Sequence, residues 1–199
     1  MEMRNILLCG VGGQGIITMG RLIGNALVDK GIKTRVTEVH GLAQRGGSVN
    51  VHVRFGEEVY SPLICEGAAQ AIVALELIEG VRYLSYLSKD GVLLVNNVLI
   101  PPPLPNVKIP TRKEILKEFK RLKVRFYLVD AVEIALKAGS AASANVAMIG
   151  GMLALDLLPL TLQDIEKSIR EILPPKFHEV NSRALKMGYD KVRKLKETL

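Results

Sequence analysis

The chain has 199 residues, of which 48% are hydrophobic and 24% are charged, so extended disorder is excluded and a folded core is expected. The formal net charge is +7, but without tryptophan and with few aromatic side chains, nucleic-acid binding by base stacking is not expected. The most apolar late stretch, residues 146–155, is shorter than the roughly 20 residues that cross a bilayer. With no secretory signal evident either, the sequence predicts a cytoplasmic protein without membrane association.

Cysteine and histidine usage argues against a metal centre held by this chain alone. Cys9 and Cys65 lie far apart in apolar contexts, so both are expected to be buried free thiols. An iron–sulfur cluster needs about four thiolates, and the sequence contains no CxxC pair. The three histidines show no metal-site spacing.

The first predicted elements form a βαβ unit with a right-handed crossover. Residues 5–9 read as a buried strand, residues 16–29 as a helix that ends at Gly31, and residues 34–39 as a second strand. Residues 40–48 (HGLAQRGGS) lack a helical period and are predicted to be a loop. Residues 49–55 alternate as a half-buried strand, and residues 59–63 are predicted to pair with them as a β-hairpin instead of a second crossover helix.

Further along, the pattern predicts strands at 71–75, 92–96 and 124–129 and helices at 76–87 and 132–137. Four prolines force an extended stretch over residues 101–105. Thr111 and Glu114 form a capping box that opens a helix to about residue 122. From residue 143 the chain is helical, over 144–157, from Thr161 onward, and after Pro174 and Pro175. The expected fold is a Rossmann-like α/β domain with a mostly parallel sheet, a β-hairpin insertion and a helical C-terminal part (1–140 and 141–199 of one domain, 1–199).

The first motif that could carry function is a glycine-rich turn between the first strand and the first helix. It comprises Gly10, Gly12, Gly13, Gln14 and Gly15 (GVGGQG). Glycines let the backbone approach a phosphate, and the following helix presents unpaired N–H groups and the positive end of its dipole. The motif predicts a phosphate-binding loop. The alternative is a tight turn that binds nothing or packs on a partner chain.

The second motif is the glycine-rich loop that precedes the alternating strand. Flanking glycines leave an arginine guanidinium free to bind a carboxylate or a phosphate, and a histidine can donate to an anion. We expect this loop to face a ligand or a partner subunit, the alternative being an ordered loop whose polar groups satisfy its own backbone. Its candidate residues are His40, Gln44, Arg45, Gly46, Gly47 and Ser48.

Other polar residues are weaker candidates. His52 is expected at the surface, and Asn145 as a cap or a buried polar contact. Neither Ser48 nor Ser140 belongs to a recognisable hydrolase triad. From Pro175 onward the sequence contains seven cationic and three anionic side chains, which is typical of a solvated basic helix. The alternatives are a surface for an acidic electron carrier or for a polyanionic ligand.

Together, GVGGQGI at 10–16 and EVHGLAQRGGSVNVHVRFG at 38–56 resemble the γ-type small subunits of 2-oxoacid:ferredoxin oxidoreductases, and the HGxAQRGGSV form resembles the indolepyruvate branch. More weakly, the resemblance extends through residues 143–145 and 181–184, and thus over nearly the whole chain.

This resemblance implies a subunit of a complex that decarboxylates an aryl 2-oxoacid to an acyl-CoA and reduces ferredoxin. It also implies that thiamine diphosphate, magnesium and the iron–sulfur clusters belong to a large partner subunit, with coenzyme A possible at the interface. The chain alone is then expected to be inactive, with no catalytic residue of its own assigned. Two alternatives stay open: a subunit for another 2-oxoacid such as pyruvate or 2-oxoglutarate, and a free-standing nucleotide-binding protein in which Glu38 would hold a ribose.

Overall fold

A computed structural model describes residues 3–41, 46–102 and 108–198. Within these ranges it contains six strands, β1 (Arg4–Val11), β2 (Thr34–His40), β3 (Ser48–Phe55), β4 (Ala69–Ala74), β5 (Leu87–Asn96) and β6 (Arg125–Val129). The α-helices are α1 (Ile16–Asp29), α2 (Leu77–Arg82), α3 (Arg112–Arg121), α4 (Ala131–Ala138), α5 (Ala144–Ala154), α6 (Leu162–Ile172) and α7 (His178–Thr198).

The strands form one sheet in the order β2-β3-β1-β4-β5-β6. β1, β4, β5 and β6 run parallel, whereas β3 runs antiparallel to both β1 and β2. The predicted mostly parallel α/β sheet is therefore confirmed. Because the parallel strands end together, the loops after β1, β4 and β5 lie at the same edge of the sheet.

Each face of the sheet packs against its own set of helices, since successive strand residues point to opposite faces. Ile6 and Leu8 of β1 share one core with α1, α5, α6 and α7, whereas Leu7 and Cys9 share the other with α2 and α3. The helices after residue 140 thus cover the same core as α1. This shared core supports the proposal that residues 1–199 form one domain.

The helix starts that the sequence signalled most strongly are confirmed. Thr111 and Glu114 form a complete capping box at α3, and Thr161 and Asp164 form a second one at α6. Gly31 follows the end of α1 with a φ of 72°, the left-handed conformation that glycine adopts without steric cost.

The predicted partner strand of the hairpin is wrong. Residues 59–63 form no strand, and β3 pairs instead with β2, residues 49–55 of β3 lying opposite residues 40–34 of β2. Arg54 explains the difference, because its Nη1 donates to the carbonyl oxygens of Ser61 (2.7 Å) and Leu63 (2.8 Å). These carbonyls are bound to a guanidinium and not to a neighbouring strand. The hairpin of this fold is β2–β3.

The predicted helix over 76–87 is also too long. α2 ends at Arg82, a 3₁₀ turn spans Leu84–Tyr86, and β5 already begins at Leu87. The predicted extended proline stretch begins at Pro101 and Pro102, which adopt no helix or strand, and continues into residues 103–105, which lie outside the described residues.

Two burial predictions are corrected by the structure. Cys9 is buried, but Cys65 is exposed. His52 is buried instead of lying at the surface, because the face of β3 that carries it is covered by Tyr86 and by the 61–65 segment. His52 Nδ1 accepts a hydrogen bond from the Ile64 amide at 3.0 Å, which requires that nitrogen to be unprotonated.

We expect His52 to make stability depend on pH. Burial, and to a lesser extent Arg54, lowers the pKa of His52 in the folded chain. The unfolded chain then binds a proton first as the pH falls below about 6.5, so the free energy of unfolding decreases by up to about 1.4 kcal/mol per pH unit until the folded pKa is reached. Urea denaturation between pH 7.5 and 5 should show this loss, and His52→Gln should reduce it. Equal pH slopes in both proteins would contradict the prediction.

Candidate functional site

The glycine-rich turn after β1 is held in shape by the side chain of Gln14. Its Oε1 accepts from the amide of Val11 at 2.8 Å, and its Nε2 donates to the carbonyl of Leu75 at 2.9 Å. Leu75 directly follows β4, so Gln14 connects the carboxyl ends of two adjacent parallel strands. Its amide is committed to the backbone of the chain, and it shapes the loop.

Two glycines of this turn are explained by close contacts. A Cβ on Gly10 would lie 2.7 Å from the Gln14 Oε1 and 3.1 Å from the Leu75 Cβ. Gly15 has a φ of 80°, and a Cβ there would lie 2.5 Å from the Asn145 Nδ2. Gly13 has a φ of 102°, and a Cβ there would meet no atom of the described residues within 4 Å, so its backbone is exposed at the surface of the turn. The turn therefore needs glycine at Gly10 and Gly15 because neighbouring atoms leave no space for a Cβ, and at Gly13 and Gly15 because φ is positive.

The two glycine-rich motifs are directly connected. The Gly12 amide donates to the Gly47 carbonyl at 2.8 Å, and the Gly46 amide donates to the Gly12 carbonyl at 3.3 Å. This pairing continues the β1–β3 ladder beyond its last partners, Val11 and Ser48. The position of the glycine-rich turn after β1 consequently depends on Gly46 and Gly47, at the end of the second glycine-rich loop.

An open cleft of about 510 Å³ lies beside the turn at the carboxyl edge of the sheet. One wall is the start of α1, with Gly13, Gly15 and Thr18; the floor is Leu75 and Asn96 after β4 and at the end of β5. The opposite wall is the start of α5 together with residues before and within α7. That wall comprises Ser140, Ala141, Ala142, Ser143, Asn145, Phe177 and Asn181.

The electrostatics of this cleft favour an anion. Its described lining contains no charged side chain. Two helices of 14 and 11 residues, α1 and α5, start there without a side-chain cap and without an acidic residue in the first turn. A helix start presents N–H groups and about half a positive charge. At α5 two of these N–H groups are already bonded, that of Ala144 to the Ala141 carbonyl and that of Val146 to the Asn145 Oδ1. The cleft is thus an uncharged, mainly apolar concavity that two positive helix-dipole ends face.

The other predicted site residues do not all reach this cleft. His40 is exposed at the end of β2, where its Nε2 lies 4.0 Å from the Glu38 Oε1, and it does not line the cleft. Gln44 and Arg45 lie outside the described residues. Ser48 lies on the far face of the sheet, next to Glu79 and Tyr83.

Of three asparagines that line the cleft, only Asn145 was a candidate from the sequence, whereas Asn96 and Asn181 were not. Asn145 is a buried polar contact as predicted, and its Nδ2 donates to the Gly15 carbonyl at 3.0 Å, 130 residues away in sequence. Asn96 is buried and connects the Leu75 carbonyl to the Ala131 amide. Asn181 lies on the basic C-terminal helix, whose cations do not line the cleft. For Asn96 and Asn145 the available signal was an asparagine within an otherwise apolar segment.

The part of the chain that the structure describes contains neither a candidate metal-binding cluster nor a candidate membrane-spanning helix. There, no three His, Cys, Asp or Glu side chains are grouped so that they could hold a metal ion. No helix within the same ranges is both long and apolar enough to cross a membrane.

Replacement of Gln14 by glutamate is expected to destabilise the chain by about 1–3 kcal/mol, because a carboxylate cannot donate to the Leu75 carbonyl and faces it with a negative charge. Gln163→Glu, at an exposed position in the first turn of α6, is the matched control and should not destabilise the chain, since a carboxylate there stabilises the helix by about 0.3–1 kcal/mol. Guanidinium unfolding of both variants measures the difference. Equal stabilities would show that the Gln14 contacts contribute nothing.

Comparison with known proteins defines the class. The sequence profile described as pyruvate ferredoxin/flavodoxin oxidoreductase matches residues 5–191. The fold is similar to that of a keto/oxoacid ferredoxin oxidoreductase γ subunit from Geobacter sulfurreducens, with a TM-score of 0.71 and 23% identity over 95% of this chain and 98% of that one.

Sequence relatives are more specific. The indolepyruvate oxidoreductase subunit IorB of Archaeoglobus fulgidus is 41% identical over 94% of both chains. The IorB subunit of Thermococcus kodakarensis is 40% identical over 100% of this chain and 99% of its own length. The chain belongs to the pyruvate ferredoxin/flavodoxin oxidoreductase family.

Proposed function

We propose that this chain is the small subunit of a 2-oxoacid:ferredoxin oxidoreductase that acts on indolepyruvate. The observation that carries the proposal is the 41% identity to an indolepyruvate oxidoreductase subunit over 94% of both chains. The complex converts the 2-oxoacid to an acyl-CoA and carbon dioxide and passes two electrons to ferredoxin. The thiamine diphosphate, magnesium and iron–sulfur clusters belong to a large partner subunit, and the small chain alone is inactive and cytoplasmic.

Within this complex, we propose that the cleft beside the glycine turn takes the phosphate groups of coenzyme A. The support is electrostatic and geometric, since two uncapped helix starts meet there and the described lining carries no anion. Gly13 leaves its backbone bare on the same side, and Asn181 and Ser143 offer hydrogen bonds. The residues of this chain would bind and orient the acyl acceptor, while the partner subunit supplies the reacting cofactor.

The loop residues His40, Gln44 and Arg45 belong to a second part of the proposal. We propose that this loop faces the partner subunit or the path of coenzyme A, with Arg45 pairing to a carboxylate or a phosphate. Arg45→Ala should raise the coenzyme A concentration that half-saturates the complex or weaken its assembly. Unchanged kinetics and assembly would remove Arg45 from the site.

The free-standing nucleotide-binding alternative is less well supported by the fold. In a dinucleotide-binding domain, the strand that carries the ribose-binding carboxylate is adjacent to the first strand. Here β3 separates β2 from β1, so Glu38 is displaced from that position by one strand. The alternative predicts NAD(P) binding by the isolated chain, which calorimetry measures directly.

The test is an anaerobic purification of the tagged chain from its own cells, with iron and thiamine analysis and a coenzyme-A-dependent dye-reduction assay. We expect a large iron- and thiamine-containing partner and turnover with indolepyruvate above pyruvate and 2-oxoglutarate. Preference for another 2-oxoacid would keep the subunit and change its substrate. A chain that purifies alone, or with a nucleotide, would reject the proposal.

A further inference from the structure

A chain of hydrogen bonds joins α2 to the first residue of β3 on the face opposite the cleft. The Asn50 Nδ2 lies 2.8 Å from the Tyr83 hydroxyl, which lies 3.0 Å from the Ser48 Oγ. Ser48 Oγ in turn donates to the Glu79 Oε2, and the Arg82 Nε donates to the Glu79 Oε1 at 3.0 Å. Glu79 is buried in its position on α2.

The direction of this chain follows from the number of protons available. A serine hydroxyl has one proton, and Ser48 gives it to the Glu79 carboxylate. The Tyr83 hydroxyl must therefore donate to Ser48 Oγ and accept from the Asn50 amide. All donors point toward one buried carboxylate, an arrangement in which each hydrogen bond strengthens the next.

Ser48 is also the residue at which this network reaches the glycine turn. The preceding residue, Gly47, accepts from the Gly12 amide at 2.8 Å, and Gly46 donates back to Gly12. Any shift of Ser48 along or away from the sheet is transmitted through this pairing to Gly12. The Glu79 carboxylate on α2 thereby restrains the turn through Ser48, and Gln14 restrains it through the Leu75 carbonyl after β4.

The network lowers stability relative to an apolar packing of the same space. Burial of a carboxylate is costly even when it is well hydrogen-bonded. Asn50 Oδ1 is buried without a hydrogen-bond partner in the described ranges, which is also unfavourable. A polar cluster that costs stability and ends on a ligand-binding loop is what a positioning role requires.

We propose that Glu79 and Tyr83 are positioning residues that fix the glycine turn for the phosphate groups of coenzyme A. The inference rests on the proposed function of the cleft. Neither residue lines the cleft, so both act through Ser48, Gly47 and Gly12. Loss of the Tyr83 hydroxyl removes one hydrogen bond from Ser48, so the glycine turn becomes more mobile. Part of the free energy of coenzyme A binding is then needed to order the turn.

The experiment uses the assembled complex with Tyr83→Phe, Glu79→Ala and Glu79→Gln. Tyr83→Phe should raise KM for coenzyme A about three- to tenfold, as expected for one hydrogen bond, with kcat and KM for the 2-oxoacid within about twofold. Glu79→Ala should raise it further. Glu79→Gln should recover part of the loss, because its carbonyl oxygen still accepts from Ser48. Tyr86→Phe, on the next turn but outside the network, is the matched control.

The outcomes separate this inference from the proposed function when Thr18→Glu, which places a charge in the cleft itself, is measured alongside. If Thr18→Glu raises KM for coenzyme A and Tyr83→Phe does not, the positioning role is rejected and the cleft assignment stands. If neither variant changes that KM, the cleft assignment is rejected, and the positioning role with it. A lower melting temperature for Tyr83→Phe with unchanged KM would also reject positioning, since it indicates a purely structural contact.

Discussion

Gly150→Ala is expected to destabilise the chain by about 3 kcal/mol or more, although alanine is intrinsically the better helix former by about 1 kcal/mol. α5 and α7 cross at Gly150 and Gly188. A Cβ on Gly150 would lie 2.0 Å from the Leu185 carbonyl oxygen and 2.7 Å from the Tyr189 amide nitrogen. Both are backbone atoms, so the helices must separate, and with them the wall of the cleft that α7 supplies.

The control for this effect is Gly41→Ala, where an added Cβ would meet no atom of the described residues within 4 Å. Chemical denaturation should show a change below about 0.5 kcal/mol for Gly41→Ala and the full loss for Gly150→Ala. Gly188→Ala should resemble Gly150→Ala, because its Cβ would lie 2.0 Å from the Ala147 carbonyl oxygen. A Gly150→Ala protein as stable as the parent would mean that the two helices are not in such close contact.

Thr18→Glu is expected to raise KM for coenzyme A at least about tenfold in the assembled complex without lowering stability. Thr18 is the third residue of α1 and lines the cleft. A carboxylate in a first helical turn stabilises the helix by about 0.3–1 kcal/mol. The same charge repels a phosphate ligand, and 1.4 kcal/mol of repulsion already corresponds to about tenfold in affinity.

Thr18→Gln separates charge from size in this experiment. It has the same length as glutamate and no charge, so its KM for coenzyme A should stay within about threefold of the parent value. The difference between the two variants should shrink as ionic strength rises, since salt screens the repulsion. Equal KM values for Thr18→Glu and Thr18→Gln would place the phosphate groups elsewhere.

Local signals account for most of the fold that could be predicted. The capping boxes at Thr111 and Thr161 involve residues three apart, so their chemistry is complete within the sequence. The strand predicted at 59–63 was wrong because its conformation depends on a residue outside the segment: Arg54 binds two of its carbonyl groups. His52 failed likewise, because the groups that bury it come from residues 64 and 86.

The candidate site divides in the same way. The glycines and Gln14 could be recognised because their contacts with β1 span at most a few residues. The second wall of the cleft could not, because Asn145 meets Gly15 only after the helical C-terminal part folds back onto α1. The network behind the turn joins Ser48 to Glu79 across 31 residues and two elements whose packing no local pattern encodes.

The reversed direction of β3 determines where the connection that precedes it lies. β3 runs antiparallel to β1 and β2, which lie on either side of it. The connection from β2 to β3 is therefore at the edge of the sheet where the parallel strands end. The described ends of this connection, Gly41 and Gly46–Gly47, therefore lie at the carboxyl edge of the sheet, next to the glycine turn. One reversed strand thus brings a connection between two antiparallel strands to an edge of the sheet that is otherwise formed by the ends of parallel strands.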